Sequence, residues 1–273
     1  MRAAHASRTR KGERMTVHPD WPITFFDEDY LKIYQPQLTD ERSRMETEFI
    51  AGALDLPHGA AVLDLACGVG RHAIGMAKLG YQVTGVDFNP RYLEDASAAA
   101  EKAAVNVRWM VGDMRSLRVE EAFDGGYSYF TSFGYFSDRE NEKVIANIVQ
   151  ALRHSGRFLL DMANRDWILT HPQQRTWTRQ EDGNLLMEEA TLDLPSSRVT
   201  SRLMLIQPHG GAEVTKEFNL RLYTAAELTA MLARHGLVVK HVWGGADRSP
   251  YSAESRRLVL LAEREAGATG DAG

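Results

Sequence analysis

The chain has 273 residues, 44% of them hydrophobic, and a formal net charge of −5. That length supports one substantial core, so one large domain is a better expectation than two. The acidic balance and the lack of a basic stripe in the body of the chain count against a nucleic-acid partner, and no apolar run reaches membrane-spanning length.

Residues 1–15 carry Arg2, Arg8, Arg10, Lys11 and Arg14 against Glu13. No apolar h-region follows, so residues 1–20 read as a solvated basic tail and not as a secretion signal. Trp21, Phe25, Phe26, Tyr30 and Tyr34 then gather between Pro22 and Pro36. A helix is predicted from Thr39, with Asp40 and Glu41 in its first turn and Phe49, Ile50, Ala53 and Leu54 at helical spacing. The main unit is expected over 58–264. It starts with a strand at Ala61–Leu65, a glycine-containing turn, and a helix that stops near Gly80. "YQVTGVD" is a second strand, and Asn89–Pro90 supplies the cap and first-turn proline of an alanine-rich helix over 91–104. "VNVRWMVGD" is a third strand and "FDGGYSYF" holds a fourth. Ser137 and Glu140 form a capping box for the next helix, and "GRFLLDMAN" is a fifth strand.

This alternation predicts an α/β fold: a doubly wound, mostly parallel sheet covered on both faces. The pattern changes over 172–222, where "NLLMEEATLDL", "RVTSRLMLIQ" and "EVTKEFNLRLY" read as three antiparallel strands. A helix capped by Thr224 and Glu227 follows, then "LVVKHVWGG" and "RRLVLLAERE" close the sheet. Residues 265–273 read as a loose tail. The single cysteine, Cys67, cannot form an intramolecular disulfide, which fits a reducing cytoplasm. The nine histidines show no ligand spacing, so no metal is expected.

Gly68-Val-Gly70-Arg-His-Ala73 fits G-x-G-x-x-A, and Asp87 follows 17 positions after Gly70. Together they fit NAD and S-adenosylmethionine alike. Asp64, at the end of the first strand, discriminates: its carboxylate would repel a pyrophosphate but suits the ammonium end of a methionine moiety. Asp113 in "GDMR" can accept a hydrogen bond from an adenine amine, and the chain ends in a helix, a strand and a return strand.

These stretches resemble the class I S-adenosylmethionine-dependent methyltransferases over roughly residues 40–264. "VLDLACGVG" is similar to the family's first motif, "VTGVDFNP" to its ribose motif, "VGDMRSL" to its adenine motif and "FDGGYSYFTSFGYF" to its fourth-strand motif. The chain departs from the pattern at Ala66, where a glycine is usual, and "RHSGRF" replaces the P-G-G turn before strand five. The resemblance implies a Rossmann-like, seven-stranded sheet with an antiparallel last strand, an N-terminal helical lid within 21–57 and a β insert that roofs the acceptor. It implies S-adenosylmethionine as cofactor, S-adenosylhomocysteine as product, and a small-molecule acceptor methylated on nitrogen or oxygen.

The expected cofactor contacts are Asp64, Ala66, Cys67, Gly68, Gly70, Asp87, Phe88, Gly112, Asp113, Met114 and Phe130. Phe88 and Met114 are to flank the adenine, and the two glycines are to let the backbone approach the ligand. Tyr30, Tyr34 and Phe133 are the candidates for shielding the transferring methyl group, and His72 is the candidate base. Tyr135, Asn164, Arg165, Arg221, Tyr223 and Arg256 are the candidate acceptor contacts. The insert could instead, or in addition, pair copies of the chain through its edge strands. Three rivals stand beside this reading: an RNA or protein methyltransferase, a nicotinamide-dependent oxidoreductase, and a cofactor-binding module without catalysis.

Overall fold

A computed structural model describes residues 24–119, 123–207 and 213–265. The expected tails at 1–20 and 265–273 fall outside these residues except for Glu265, and so do Trp21 and Pro22. Among the described residues come first α1 (Glu28–Tyr34), a 3-10 turn (Gln35–Gln37) and α2 (Asp40–Leu54). Strands and helices then alternate: β1 (Ala61–Leu65), α3 (Arg71–Lys78), β2 (Gln82–Asp87), α4 (Pro90–Lys102), β3 (Arg108–Val111), β4 (Phe123–Ser128), α5 (Asp138–Ala151) and β5 (Leu152–Ala163). After α6 (Arg165–Thr170) come β6 (Arg175–Arg179), β7 (Leu185–Asp193), β8 (Arg198–Ile206) and β9 (Glu213–Arg221). The chain then returns through α7 (Ala225–Arg234), β10 (Leu237–Trp243) and β11 (Arg257–Arg264).

The main sheet has seven strands in the order β10-β11-β5-β4-β1-β2-β3. β1 pairs in parallel with β2 and β4, while β11 runs antiparallel to both β5 and β10. Right-handed crossovers require helices on both faces of such a sheet, and two separate apolar clusters lie against it. One is built on Ile145, Ile148, Leu228 and Leu232, the other on Phe49, Ile50, Leu54 and Met76. The sheet order reverses between β1 and β4, so a ligand crevice is expected beyond the carboxyl end of β1. No described helix is long and apolar enough to cross a membrane.

Local chemistry sets the boundaries. Thr39, Asn89, Ser137 and Thr224 each cap a helix through the side-chain oxygen, and the last two form full capping boxes. The insert has four strands, in the order β6-β7-β8-β9, where three were expected. The extra one, "RTWTR", is a five-residue edge strand with no apolar run to mark it. α6 was also not anticipated. It is six residues long and is started by Asn164, whose side chain accepts from the Asp166 N–H.

The inner face of the insert carries Leu203 and Leu205, which pack on Phe25 and Ile33 of the N-terminal segment. Each such buried aliphatic or aromatic side chain contributes about 1.5–3 kcal/mol. The exposed Arg91–Glu28 pair on the other side of α1 contributes at most about 1 kcal/mol. Apolar burial against the insert therefore does most of the holding of α1.

Candidate functional site

The crevice beyond β1 is a cavity of about 380 Å³. Its floor is the turn from Leu65 to Arg71, wound tightly by three alternate left-handed residues: Ala66 (φ 62°), Gly68 (φ 55°) and Gly70 (φ 77°). Ala66 takes this conformation with a side chain, a modest strain where glycine is usual. The two glycines do different work. A Cβ on Gly68 would meet nothing within 4 Å, because that position faces the cavity. A Cβ on Gly70 would lie 2.5 Å from Trp109 and 2.9 Å from Ala96. Gly70 thus serves the packing of α3 on α4 and β3, and not the close backbone approach to a ligand expected of it. Cys67 lines the cavity beside it. Its N–H donates to Val86 O at 3.0 Å, and burial pushes the thiol away from ionisation.

Asp87 ends β2 beside this turn. One carboxylate oxygen accepts the Gly68 N–H at 2.9 Å and the other the Asn89 N–H at 2.9 Å. Burial raises its pKa while these backbone donors oppose the rise. A carboxylate has about four acceptor sites, so the group can still accept from a ligand hydroxyl in the cavity it lines. Phe88, Gly112 and Met114 line the next part of the cavity. Asp113 is there too, but Arg115 occupies it: three side-chain contacts of 2.6–3.1 Å and the Arg115 N–H at 2.8 Å. Burial pulls the Asp113 carboxyl up, and Arg115 more than offsets it, leaving the group below its ordinary value.

Among the carboxyls that line the cavity, Asp64 is the most buried. It is 3% exposed, lines the cavity and accepts the Tyr127 hydroxyl at 3.0 Å. Burial pushes its pKa up to about 7, with Tyr127 and Arg71 opposing. Behind it lies a cluster that joins α2 to α3. Glu46 accepts from Arg42 Nε at 2.9 Å, from Arg71 Nη1 and from His72 Nε2 at 3.0 Å. Burial would raise the Glu46 carboxyl, but these three partners hold it at about 2. Burial lowers His72 to about 4. His72 therefore stands at ordinary pH as a neutral imidazole whose Nε2 donates to Glu46, and its lowered pKa makes it a weaker base than a free histidine. Glu46 itself was missed. The signal was an acid three and four positions before Phe49 and Ile50, on the apolar stripe of α2.

The roof comes from the N-terminal segment and the loop after β4. Phe26, Tyr30, Leu31 and Leu38 line the cavity with Tyr129, Phe130, Thr131, Ser132, Tyr135 and Phe136. Tyr34 stacks behind Tyr30 at 4.6 Å and meets Phe130 at 6.2 Å, outside the cavity lining. Phe130 (φ 68°) and Thr131 (φ 59°) are consecutive left-handed residues, a strain of about 1–3 kcal/mol each that the surroundings must hold. Asp161 on β5 does so: its carboxylate accepts the Phe130 N–H at 2.8 Å and its carbonyl the Thr131 N–H at 3.1 Å. Arg257 grips the same carboxylate through Nε at 2.8 Å and through Nη2. An acid inside the apolar run "FLLDMA" was the available sign of this support.

Other candidates lie elsewhere. Phe133 is 2% exposed and packs on Tyr223 in the main core, with ring centres 5.8 Å apart, so it cannot shield a transferring group. The Tyr223 hydroxyl donates to Asp138 at 2.6 Å and accepts from Asn141 at 2.9 Å. Arg221 is spent on Glu227 at 2.6 Å and on the Leu222 carbonyl. Asn164 is fully buried and ties the 251–255 loop through Ser252 O and Ser255 O. Arg165 holds Ser197 at 3.0 Å, and Arg256 lies over the Trp167 ring. Of the six expected acceptor contacts, only Tyr135 lines the cavity.

Residues 62–156 match the family model described as "Methyltransferase domain". A glycine/sarcosine N-methyltransferase from Aphanothece halophytica is 34% identical over 132 residues, 47% of this chain and 49% of that protein. An S-adenosyl-L-methionine-dependent Diels-Alderase from Talaromyces variabilis is 33% identical over 132 residues, 46% of this chain and 44% of that protein. The chain thus spans about half the length of these curated relatives. Among solved structures, the CcbJ methyltransferase from Streptomyces caelestis superposes with a TM-score of 0.77 at 21% identity, covering 89% of this chain and 98% of that one. That likeness is one of fold.

Proposed function

We propose that the chain is a class I S-adenosylmethionine-dependent methyltransferase, a reading supported by the match of residues 62–156 to a methyltransferase-domain model, and that it methylates a nitrogen or oxygen of a small molecule. The observation that carries the reading is the Asp87 carboxylate, lining a cavity beside the side-chain-free face of Gly68. The residues present fit the cofactor. Asp87 would accept the ribose hydroxyls, Phe88 and Met114 would flank the adenine, and Asp113 would share its carboxylate with the adenine amine and Arg115. Asp64 would face the ammonium. When bound, S-adenosylmethionine supplies a methyl group on an already activated leaving group, so the protein's task is alignment and exclusion of water. Phe26, Tyr30 and Phe130 close the cavity over that end, where aromatic faces favour a cation. The name of the Aphanothece relative supports an amine acceptor. The single cysteine fits a cytoplasmic site of action.

A second reading is favoured by the Diels-Alderase relative, which matches nearly as well as the N-methyltransferase. In it the cavity binds the cofactor without passing on its methyl group. Release of S-adenosylhomocysteine from S-adenosylmethionine across a panel of small amines, amino acids and alcohols separates the two. Binding is tested first. S-adenosylhomocysteine should raise the melting temperature, since a ligand at 100 times its Kd adds about 2.7 kcal/mol to apparent stability, and NAD at the same concentration should do little. Asp87→Ala should weaken S-adenosylhomocysteine binding by about tenfold or more, or about 1.5–3 kcal/mol for hydrogen bonds to a charged group. Unchanged affinity in a folded variant would sink the cofactor assignment.

A further inference from the structure

A second cavity, of about 530 Å³, lies between the last turn of α2 and the β10–β11 edge of the main sheet. None of its lining residues lines the cavity beyond β1. One wall is flat: the His241 and Trp243 rings stack 5.0 Å apart at 10°, with Leu261 and Ala53 also lining the space. Lys240 and His241 are neighbours in sequence, yet both line it. A regular strand sends neighbours to opposite faces. Here a β-bulge leaves Lys240 unpaired between Val239–Ala262 and His241–Leu261, which re-aims the side chains.

Arg248, in the loop after β10, is held there against two local costs. Its backbone is left-handed (φ 58°), a conformation that disfavours a residue with a side chain. Its guanidinium carbon lies over the Trp243 ring, 5.7 Å from the centre. Nη2 reaches α2 where Gly52 leaves room, since a Cβ there would lie 2.9 Å from it. Glycine inside a helix weakens that helix relative to alanine. Among the described residues the Arg248 side chain donates no hydrogen bond and pairs with no carboxylate. A guanidinium carried on an aromatic ring keeps its fork of donors for an oxyanion. The charges around it are matched to one another. Arg157 meets Leu54 O at 2.9 Å, Glu263 at 3.4 Å and Asp55 at 3.5 Å, and Lys240 meets Glu263 at 3.5 Å. Arg157, Lys240 and Arg248 face only Asp55 and Glu263, so one positive charge is in excess, and Arg248 is the cation left without an acid.

We propose that this cavity is a second ligand site and that it takes a small planar organic acid: Arg248 and Lys240 hold the carboxylate, and the Trp243–His241 wall carries the body. One excess charge matches a single carboxylate better than a doubly charged phosphate. The left-handed Arg248 and the helical Gly52 then have a reason, as departures from the most stable choice made for binding. The site stands apart from the cofactor reading given above and does not depend on it.

Benzoate is the probe, titrated by calorimetry into the full chain with and without S-adenosylhomocysteine. It should bind equally in both, and benzamide, its uncharged counterpart, at least about tenfold more weakly. Arg248→Gly and Gly52→Ala should each weaken benzoate at least about fivefold while raising the melting temperature, because each removes one of the local costs. Lys240→Gln should weaken it with the melting temperature unchanged. Absence of benzoate binding, equal binding of benzamide, or competition with S-adenosylhomocysteine overturns the proposal, and so does full affinity in Arg248→Gly. If Arg248→Gly lowers the melting temperature and Lys240→Gln leaves benzoate unaffected, Arg248 is a tie between loop and helix and the proposal falls. Phenyl phosphate binding more tightly than benzoate, with the same loss in Arg248→Gly, overturns the assignment of a carboxylate.

Discussion

Asp64 carries the clearest pH signature in the cavity. Burial pushes its pKa up to about 7, far above the ordinary carboxylate range. Between about pH 4 and pH 7 the native state therefore holds a proton that the unfolded state has released. The contribution of this group to stability is complete below about pH 4 and is lost as pH rises through 7. Ligand affinity should run the other way, because an ammonium pairs with the ionised carboxyl. S-adenosylhomocysteine binding should strengthen roughly fivefold to tenfold between pH 6 and pH 8, as the ionised fraction of a group with pKa near 7 does. Glu46 at about 2 and His72 at about 4 titrate outside that window. Asp64→Asn should flatten the profile, and a flat profile in the wild type would remove Asp64 from the ammonium site. At this scale the turn and its two acids were legible, because "VLDLACGVG" and "VTGVD" place them at strand ends. Glu46 and the Asp161–Arg257 support were not. Their partners come from distant segments, and periodicity reports a face but not what crosses it.

The proposed lid would be a property of α1 and of what each of its faces meets. Asn89 Nδ2 donates to Phe26 O at 2.8 Å and Tyr92 to Asp27 O at 2.8 Å, which latches the start of α1 to the start of α4. Phe25 and Ile33 turn away into the insert, while Phe26 and Tyr30 face the cavity. An aromatic-rich segment announced itself in the sequence, but the division of labour did not, since the five rings carry the same composition whichever way they point. The geometry separates Tyr30 from Tyr34. Tyr30→Ala opens the roof directly and should lower methyl transfer far more than Tyr30→Phe. Tyr34→Ala removes the support behind Tyr30 and should act mainly through stability, as a large-to-small change in a packed cluster costs about 3–5 kcal/mol. Equal loss of turnover from the two alanine variants, at equal melting temperature, would refute this ordering. Hydrogen exchange over residues 24–38 should slow when S-adenosylhomocysteine binds, as for an ordering lid.

At the scale of the whole molecule, the alternation of strands and helices was readable because capping residues and apolar periods repeat at each step of a doubly wound sheet. The insert was readable as antiparallel, yet its place was not. It was expected to roof the acceptor itself. In the structure none of its strands lines the cavity; it backs the N-terminal segment, which forms the roof. The insert reaches the site through two contacts in particular. Gln180 Nε2, just after β6, donates to Ile33 O at 2.8 Å. Lys216 on β9 donates to Thr24 O at 2.9 Å and pairs with Asp27, the residue that caps α1. Neither side chain touches the cavity. This bond is buried, and losing a buried hydrogen bond costs about 1–3 kcal/mol. That cost falls on the closed lid and not on the main sheet. Gln180→Ala should therefore weaken S-adenosylhomocysteine binding several-fold and speed exchange in α1, with exchange in β1 and β2 unchanged. Lys216→Met, which keeps most of the buried stem, should do the same more mildly. Because the two side chains hold the same helix, the double variant should fall short of the sum of the single effects once α1 is released. Full affinity with fast exchange in α1 would uncouple the insert from the site, leaving the insert a separate packing unit.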